Sequence, residues 1–461
     1  MPATRSPRAR AGKPSAPAAA EAFAAALDAL LPSFPFGMAV SGGPDSVLLM
    51  HLGAAYAKAR GQRAPLVFTV DHRLRPASSG EAAMVDIAAQ ALSLRHETLV
   101  WKGAKPAHGL QEAARAARYR LLNAAARRHG LVDMLLGHTA DDQAETFLMR
   151  LARGAGVDGL AAMQASVRLD GLAPDIRLLR PLLGVSRARV LADLEAMGVS
   201  FVQDPSNADP RFERVRMRAL LEAMAEAGIS ATAIARSAGR LSRARAALEA
   251  ATQVLGAAAA QVSPLGSVAL DIAPFAAARE ELRVRLLQWI LKTVSGGGDA
   301  CDDADLAHLA ERLCAPGFKG ATLGGTRLLP KRQGGLMLFL REGAAIAPAA
   351  APLRPGTPLL WDGRFLLTLS ASARGRLPPG GLFVRALRRD GSRAALTMLK
   401  DQGIRIPAMP ASLRETLPGL WLADGTLAGA PHLGFWHPLH LSLARRFGCD
   451  FQPRSLAKNP S

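Results

Sequence analysis

Six consecutive residues, Ser41-Gly42-Gly43-Pro44-Asp45-Ser46, combine the types needed to hold a phosphate and a cation together. Gly42 and Gly43 let the backbone turn tightly and approach a ligand closely. Pro44 suits a first helical turn, where its missing N–H would be unpaired anyway. Ser41 and Ser46 add hydroxyls at a helix N-terminus, whose free amides and dipole attract anions. Asp45 would repel a bare phosphate, so it implies Mg²⁺ between carboxylate and phosphate. The run lacks the terminal Gly-Lys-Ser/Thr of a Walker loop. The plainer alternative is an ordinary glycine-rich turn between strand and helix.

A second run, Gly137-His138-Thr139-Ala140-Asp141-Asp142-Gln143-Ala144-Glu145-Thr146, leaves an apolar strand and enters a helix. Asp142 and Glu145 are three apart, and Asp141 and Glu145 four apart, so they share a helical side. Neighbouring acids repel unless a cation joins them, and Mg²⁺ and an amine are both candidates. Simple acid enrichment against the helix dipole is the bland alternative. Arg115 and Arg118, with Tyr119 beside them, could hold phosphate bidentately or form a solvated basic face. Val70-Asp71-His72-Arg73-Leu74-Arg75 leaves a strand end, where Arg73 and Arg75 could meet nucleotide or RNA phosphate. Arg211, Arg214 and Arg218 line one helical face after Asp204-Pro205-Ser206-Asn207, a cationic stripe suited to RNA or triphosphate.

These residues need a scaffold that brings several strand ends together. Apolar runs at 37–40, 65–71, 96–101 and 133–137 read as buried strands. Helical patterns at 21–31, 44–60, 81–94, 110–128 and 141–153 alternate with them. That alternation predicts an α/β fold with a doubly wound parallel sheet, Rossmann-like in plan. Ligands of such sheets sit beyond the carboxyl ends of the strands, where Ser41, Asp71 and His138 fall. Helices are expected at 187–197, 211–227, 230–255, 282–294 and 303–313, and a hairpin at 324–340. Gly343 to Pro358 is rich in Ala and Pro and reads as a linker to a small α+β domain.

At 461 residues the chain has room for about two to four domains. Its net charge of +19 favours a polyanionic partner. No apolar run reaches the length of a bilayer span. The three cysteines, Cys301, Cys314 and Cys449, form no Cys-x-x-Cys, which disfavours a disulfide framework, a zinc site and an iron–sulfur cluster. Residues 1–20 hold no acid and four prolines, and read as a disordered basic tail more readily than as a transit peptide.

The Ser41–Ser46 run resembles the Ser-Gly-Gly-x-Asp-Ser loop of the N-type ATP pyrophosphatases, the PP-loop enzymes. With Val70–Arg75, Gln111–Tyr119, Gly137–Thr146, Arg150–Gly154, Arg180-Pro181-Leu182-Leu183 and Asp204–Asn207 in order, the chain resembles the tRNA(Ile)-lysidine synthetases of that superfamily. The resemblance is dense over 37–220 and weak at about 230–340. It returns at Leu399-Lys400 through Ile406-Pro407, Arg414, Leu417-Pro418 and Leu422–Gly425. One departure is Val215, where Asn is expected.

The resemblance implies a ligase that uses ATP to adenylate the C2 oxygen of the wobble cytidine in a CAU anticodon. The ε-amine of L-lysine then displaces AMP and leaves lysidine, which pairs with A. The loop Ser41, Gly42, Gly43, Pro44, Asp45, Ser46 would hold ATP, with Asp71 and His138, and Asp45 would take Mg²⁺. Asp142 and Glu145 would hold the lysine amine or metal, and Arg115 and Arg118 ATP phosphates or the target nucleotide. Arg73, Arg75, Arg211, Arg214 and Arg218 would contact tRNA(Ile). The implied division is a catalytic domain at 21–228, a helical tRNA-binding domain at 229–342, a linker at 343–358 and a C-terminal α+β tRNA-binding domain at 359–461. A cytoplasmic protein is expected, with no membrane partner and a homodimer compatible. The rivals are a tRNA thiolase, disfavoured by the absence of cysteine before Cys301, and a non-catalytic RNA-binding protein, disfavoured by the intact loop.

Overall fold

A computed structural model describes residues 19–454, apart from 75–77, 104, 107, 170–171, 203–212, 298–300, 332–334, 405–407 and 438–439. Residues 1–18 of the basic tail, Arg75, Asp204–Asn207 and Arg211 therefore lie outside the described residues, while Ala19 and Ala20 open the first helix. The chain divides after Ala246 into two compact units.

The first unit runs α1 (Ala19–Leu30), β1 (Gly37–Ala39), α2 (Pro44–Ala59), β2 (Leu66–Asp71), α3 (Ser78–Ala91), β3 (Arg95–Val100) and α4 (Leu110–His129). It continues with β4 (Asp133–Leu136), α5 (Ala140–Leu151), α6 (Val157–Leu160), β5 (Ser166–Leu169), β6 (Ala173–Leu179), α7 (Arg187–Met197) and α8 (Glu213–Glu226). Helix α9 (Ala231–Ala259) passes the boundary between units. The six strands form one sheet in the order β3-β2-β1-β4-β6-β5. All neighbours are parallel except β5 against β6.

Side chains alternate across this sheet with the period of two that strands impose. Met38, Val40, Val67, Leu135 and Leu179 join α1, α2, α3 and α7 in one core. Ala39, Phe68, Leu136 and Leu178 join α4 in another, around Tyr119, Leu122 and Ala125. Both faces are covered, which is why these strands read as short apolar runs rather than as alternating ones. The doubly wound expectation stands, and β5 with β6 adds an antiparallel edge that its mixed polar and apolar residues did not announce. The chain moves from β1 through β2 to β3 on one side, then returns to place β4 on the other. The switch point therefore lies between β1 and β4, where a ligand crevice opens in such sheets.

The second unit holds β7 (Ala260–Val262), β8 (Val268–Asp271), α10 (Ile272–Ala277), α11 (Glu280–Ser295), α12 (Asp303–Cys314), β9 (Ala321–Leu323), β10 (Thr326–Pro330) and β11 (Leu336–Arg341). Beyond these come β12 (Ala351–Pro352), β13 (Leu359–Trp361), β14 (Phe365–Leu369), β15 (Leu382–Ala386), α13 (Arg388–Asp401), α14 (Ala411–Arg414), β16 (Pro418–Leu422), β17 (Leu427–Ala430), β18 (Phe435–Trp436), α15 (Leu441–Ala444) and β19 (Phe447–Phe451). The expected hairpin forms, with Leu329 opposite Leu338, and sits inside a sheet of order β7-β8-β11-β10-β9. Two further sheets, β12-β15-β16-β17-β18 and β13-β14-β19, build the C-terminal part. Within residues 343–358, β12 pairs with β15, and Ile346 and Leu353 enter the core.

Candidate active site

The loop after β1 is held in shape by its own hydroxyls. Ser46 Oγ donates to Gly43 O at 2.9 Å and accepts from Ser41 N at 3.1 Å. Gly42 has φ of +89°, and a Cβ there would stand 3.1 Å from Val202 Cγ2. Helix α2 begins at Pro44 with no side chain capping its N-terminus. Pro44 has no N–H, and the Ser46 and Val47 amides turn back to Gly43 O at 3.1 and 3.0 Å, so the Asp45 amide is the leading donor left for an anion. Gly137, at the end of β4, lets the two strand ends meet: a Cβ would lie 2.9 Å from the backbone oxygen of Asp45.

Asp45 is largely buried, and its Oδ1 has no hydrogen-bond partner. Burial pushes its pKa up to about 6, with Asp142 and Asp141 adding to the rise. The Arg187 guanidinium opposes it from 3.6 Å at Oδ2. Arg187 opens α7, and its backbone N–H donates to Asp141 Oδ2 at 2.6 Å.

Asp142 and Glu145 share a helical side but not a partner. Asp142 Oδ2 accepts from Thr139 N at 2.8 Å and from Thr139 Oγ1 at 3.1 Å, closing a capping box on α5. The alternative expected here is acid enrichment against the helix dipole, and Asp142 serves the helix N-terminus through this capping box. Glu145 is buried to 1% exposure and accepts from Arg218 Nε at 2.5 Å. Its second oxygen, Oε2, is buried with no partner, and burial raises its pKa against the pull of Arg218. Arg218 is brought there because α8 packs on α5 through Leu221, Met217, Ala144 and Leu148.

The other side of the crevice is cationic. His138, just past β4, is kept well below the ordinary histidine pKa by burial and then by Arg180, Arg118, Arg214 and Arg115. Its Nδ1 accepts from Arg180 Nε at 3.1 Å. A guanidinium only donates, so neutral His138 carries its proton on Nε2. Arg180 is buried and also donates to Gln164 O at 2.7 Å. Arg118 is coupled both to His138 and to His72 at the end of β2, while Arg115 lies 5.1 Å from the Tyr119 ring.

The geometry thus gathers Asp45, Asp142, Glu145, His138, Arg115, Arg118, Arg214 and Arg218 at the switch point. Asp71 ends β2 buried and accepts from Arg73 N at 2.8 Å, and Arg73 itself is exposed. Arg180 and Arg187 were given no role in the sequence, although both sit at this centre. Arg180 directly follows β6, so the strand-end rule could have singled it out.

The PP-loop domain family ATP_bind_3 matches residues 19–224. A tRNA(Ile)-lysidine synthase of Bradyrhizobium sp. strain BTAi1 is 43% identical over 333 residues, covering 69% of this chain and 91% of that protein. The chain belongs to the tRNA(Ile)-lysidine synthase family. The Rhodopseudomonas palustris tRNA(Ile)-lysidine synthase is 51% identical over 213 residues, 46% of this chain and 60% of the relative. That of Brucella anthropi is 36% identical over 392 residues, 83% and 82% of the two chains. As a PP-loop ligase of the tRNA(Ile)-lysidine synthase family, the chain uses ATP. Its crevice sets carboxylates short of a cation against a histidine ringed by arginines, a layout suited to an anion and its counter-ions.

Proposed function

We propose that this chain joins L-lysine to C2 of the wobble cytidine in the CAU anticodon of tRNA(Ile), through an adenylated cytidine. The C2 oxygen attacks the α-phosphorus of ATP and pyrophosphate leaves. The lysine ε-nitrogen, having lost a proton, attacks C2, and AMP departs with that oxygen. The observation that carries this reading is the divided charge at the switch point. Asp45 and Glu145 each keep one buried oxygen unpartnered, while four arginines act on His138.

The roles follow from that division. The uncapped N-terminus of α2 and Ser41–Ser46 receive the ATP phosphates. Arg115, Arg118, Arg180 and Arg214 hold the departing or adenylate phosphate, where charge builds as the α-phosphorus is attacked. His138 Nε2–H donates to the same group rather than removing a proton. Asp142 is satisfied by its cap, so Glu145 Oε2 takes the lysine ammonium and accepts its proton. Exposed Arg73 would contact the tRNA, as would Arg75 and Arg211, which lie outside the described residues, and the exposed parts of Arg214 and Arg218 beside the crevice.

The unpartnered Oδ1 of Asp45, near Asp141 and Asp142, fits a divalent cation. Among the described residues no group of three or more His, Cys, Asp or Glu could hold a metal alone. Asp45, beside Asp141 and Asp142, would hold Mg²⁺, which would supply charge neutralisation when ATP binds. The deciding experiment is mass analysis of nucleosides from tRNA(Ile) incubated with protein, ATP and lysine. Lysidine is the expected product, with pyrophosphate release that needs tRNA but not lysine. Pyrophosphate release without any modified nucleoside would overturn the reading.

A further inference from the structure

Gln143 and Arg150 fall in two runs singled out in the sequence, Gly137–Thr146 and Arg150–Gly154, yet they take no part in the chemistry above. Spaced by seven, they lie on one side of α5, turned away from Glu145. Gln143 is buried, and its amide pairs both ways with the backbone of Met163. Met163 N donates to Oε1 at 2.7 Å, and Nε2 donates to Met163 O at 2.9 Å. Arg150 Nη1 donates to Gly159 O at 2.8 Å and to Ala162 O at 3.0 Å. A third tie comes from α9. A guanidinium only donates, so the Gln164 amide presents its oxygen to Arg245 Nη2, 2.6 Å away, and its nitrogen to Ser166 O at 3.2 Å. Between these ties Ala162 sits at φ +50°, a left-handed conformation that an alanine keeps only where its surroundings impose it. The clamped segment then meets the crevice. Gln164 O accepts from Arg180 Nη1 at 2.7 Å and Ala165 O from Arg180 N at 2.9 Å, and Arg180 Nε donates to His138 Nδ1 at 3.1 Å.

We propose that Gln143 and Arg150 are positioning residues for the adenylation step: by fixing residues 159–164 they seat Arg180, and Arg180 holds the ring of His138 with its Nε2–H toward the transferring phosphate. The proposal rests on the reading above for the use of that proton. Arg180 is buried and its guanidinium is a rigid planar fork, so moving the carbonyls that anchor it turns Nε away from Nδ1. The direction of the hydrogen bond makes the contact selective. Arg180 satisfies the Nδ1 lone pair alone, which leaves the proton on Nε2, whereas a ring released from it takes either tautomer. A donor misplaced by about 1 Å costs up to roughly a hundredfold in rate, even when the change that moved it lies away from the chemistry. The two sides of α5 thus serve one site: one carries Glu145 to Arg218, and the other holds the strap behind His138.

The test uses the full chain with Gln143→Met, Arg150→Met and Arg150→Lys. Circular dichroism and the thermal midpoint report folding. Gln143→Met strands the Met163 backbone groups, so if it fails to fold the two Arg150 variants decide. Two signals are read. One is kcat for tRNA-dependent pyrophosphate release at saturating ATP and tRNA(Ile). The other is the nitrogen NMR shift of His138 Nδ1 in histidine-labelled protein, assigned by its loss in His138→Gln. Each Met variant should lower kcat roughly tenfold and leave KM for ATP within about twofold. Each should also move the Nδ1 signal toward that of a mixed tautomer. Arg150→Lys still offers donors to the Gly159 and Ala162 carbonyls, and it should restore both signals in part. Folded Met variants with a lower thermal midpoint but wild-type kcat and an unmoved His138 signal would make the clamp purely structural and overturn the proposal. A change in only one of the two signals also overturns it. Wild-type protein that releases pyrophosphate on tRNA(Ile) without forming lysidine overturns the functional reading, while the two signals still decide the positioning claim.

Discussion

Two part-buried aspartates, Asp45 in the first unit and Asp362 in the second, meet opposite surroundings. Asp362 accepts from Arg364 Nε at 2.7 Å and from Arg341 Nη2 at 3.1 Å, so its carboxylate is over-supplied with donors. Asp45 has one guanidinium 3.6 Å away, two other acids close enough to raise its pKa, and an oxygen bonded to nothing. In the first arrangement the carboxylate is fully partnered without a ligand, although Arg364 Nη1 stays buried without a partner, and it ties β11 to the β13–β14 turn. The second is incomplete without a cation. A carboxylate left short of positive charge costs stability, so its presence marks a place where the ligand supplies what the fold withholds.

Exchanging charge for shape at each aspartate tests this contrast. Asp45→Asn should slow tRNA-dependent pyrophosphate release by more than a hundredfold, about 3–4 kcal/mol at the transition state. The thermal midpoint should stay level or rise, because a part-buried carboxylate with one oxygen left unpartnered and only a distant guanidinium is removed. A variant that loses its fold along with its activity would make Asp45 architectural, like Asp362, and dissolve the comparison.

Asp362→Ala should act the other way. It leaves Arg341 and the fully buried Arg364 without their shared carboxylate. Removing one partner of a buried ion pair costs about 3–5 kcal/mol. Four of the five tryptophans, Trp289, Trp361, Trp421 and Trp436, lie in the second unit, so intrinsic fluorescence reads its unfolding. The midpoint in urea should fall clearly, while Asp45→Asn leaves it in place. An unshifted midpoint would show that water or rearrangement replaces Asp362.

The contrast also explains what was legible in the sequence. Asp45 and His138 follow short apolar strands, and strand-end position alone brought them to one crevice. Their chemistry is local and contiguous, so spacing revealed it. Asp142 and Glu145 were paired by helical period, yet period could not say that Thr139 would claim one and Arg218 the other. Arg218 comes from 73 residues away. Arg187 escaped for the same reason, since its partner Asp45 is distant in sequence, whereas Arg180 stands at the end of β6 and strand-end position could have marked it. In the second unit strands such as Ala260–Val262 and Ala321–Leu323 are three residues long, too short for alternation to register. The Arg341–Asp362–Arg364 cluster has no motif at all. It follows from a turn that places Asp362 at φ +50° and from the tertiary packing of β11.

Glu145 sharpens the comparison within the first unit. If its free oxygen holds the lysine ammonium, Glu145→Gln should raise the lysine KM roughly tenfold, about 1.4 kcal/mol. Single-turnover pyrophosphate release without lysine should fall much less, and adenylated tRNA should accumulate. Parallel collapse of both signals would move Glu145 to the metal and phosphate step.

A last effect, of the same modest size, is a pH dependence confined to the second unit. His432 packs edge-on against Phe365, with ring centroids 5.0 Å apart. Burial, then Arg364, lowers its pKa to about 4, and Asp450 opposes the shift. The unfolded chain therefore takes up a proton near the ordinary histidine value before the folded one does. Its contribution to stability is full above about pH 6.5 and is lost as the pH falls toward 4. His432 is half-buried, so screening leaves roughly half of the ideal linkage, about 1–2 kcal/mol. Tryptophan-detected urea midpoints should fall over that interval in the wild type. The fall should be shallower in His432→Gln, which cannot titrate. Equal slopes would show that the buried cluster around Arg364 tolerates a second positive charge, and that the second unit is less finished electrostatically than Asp362 suggests.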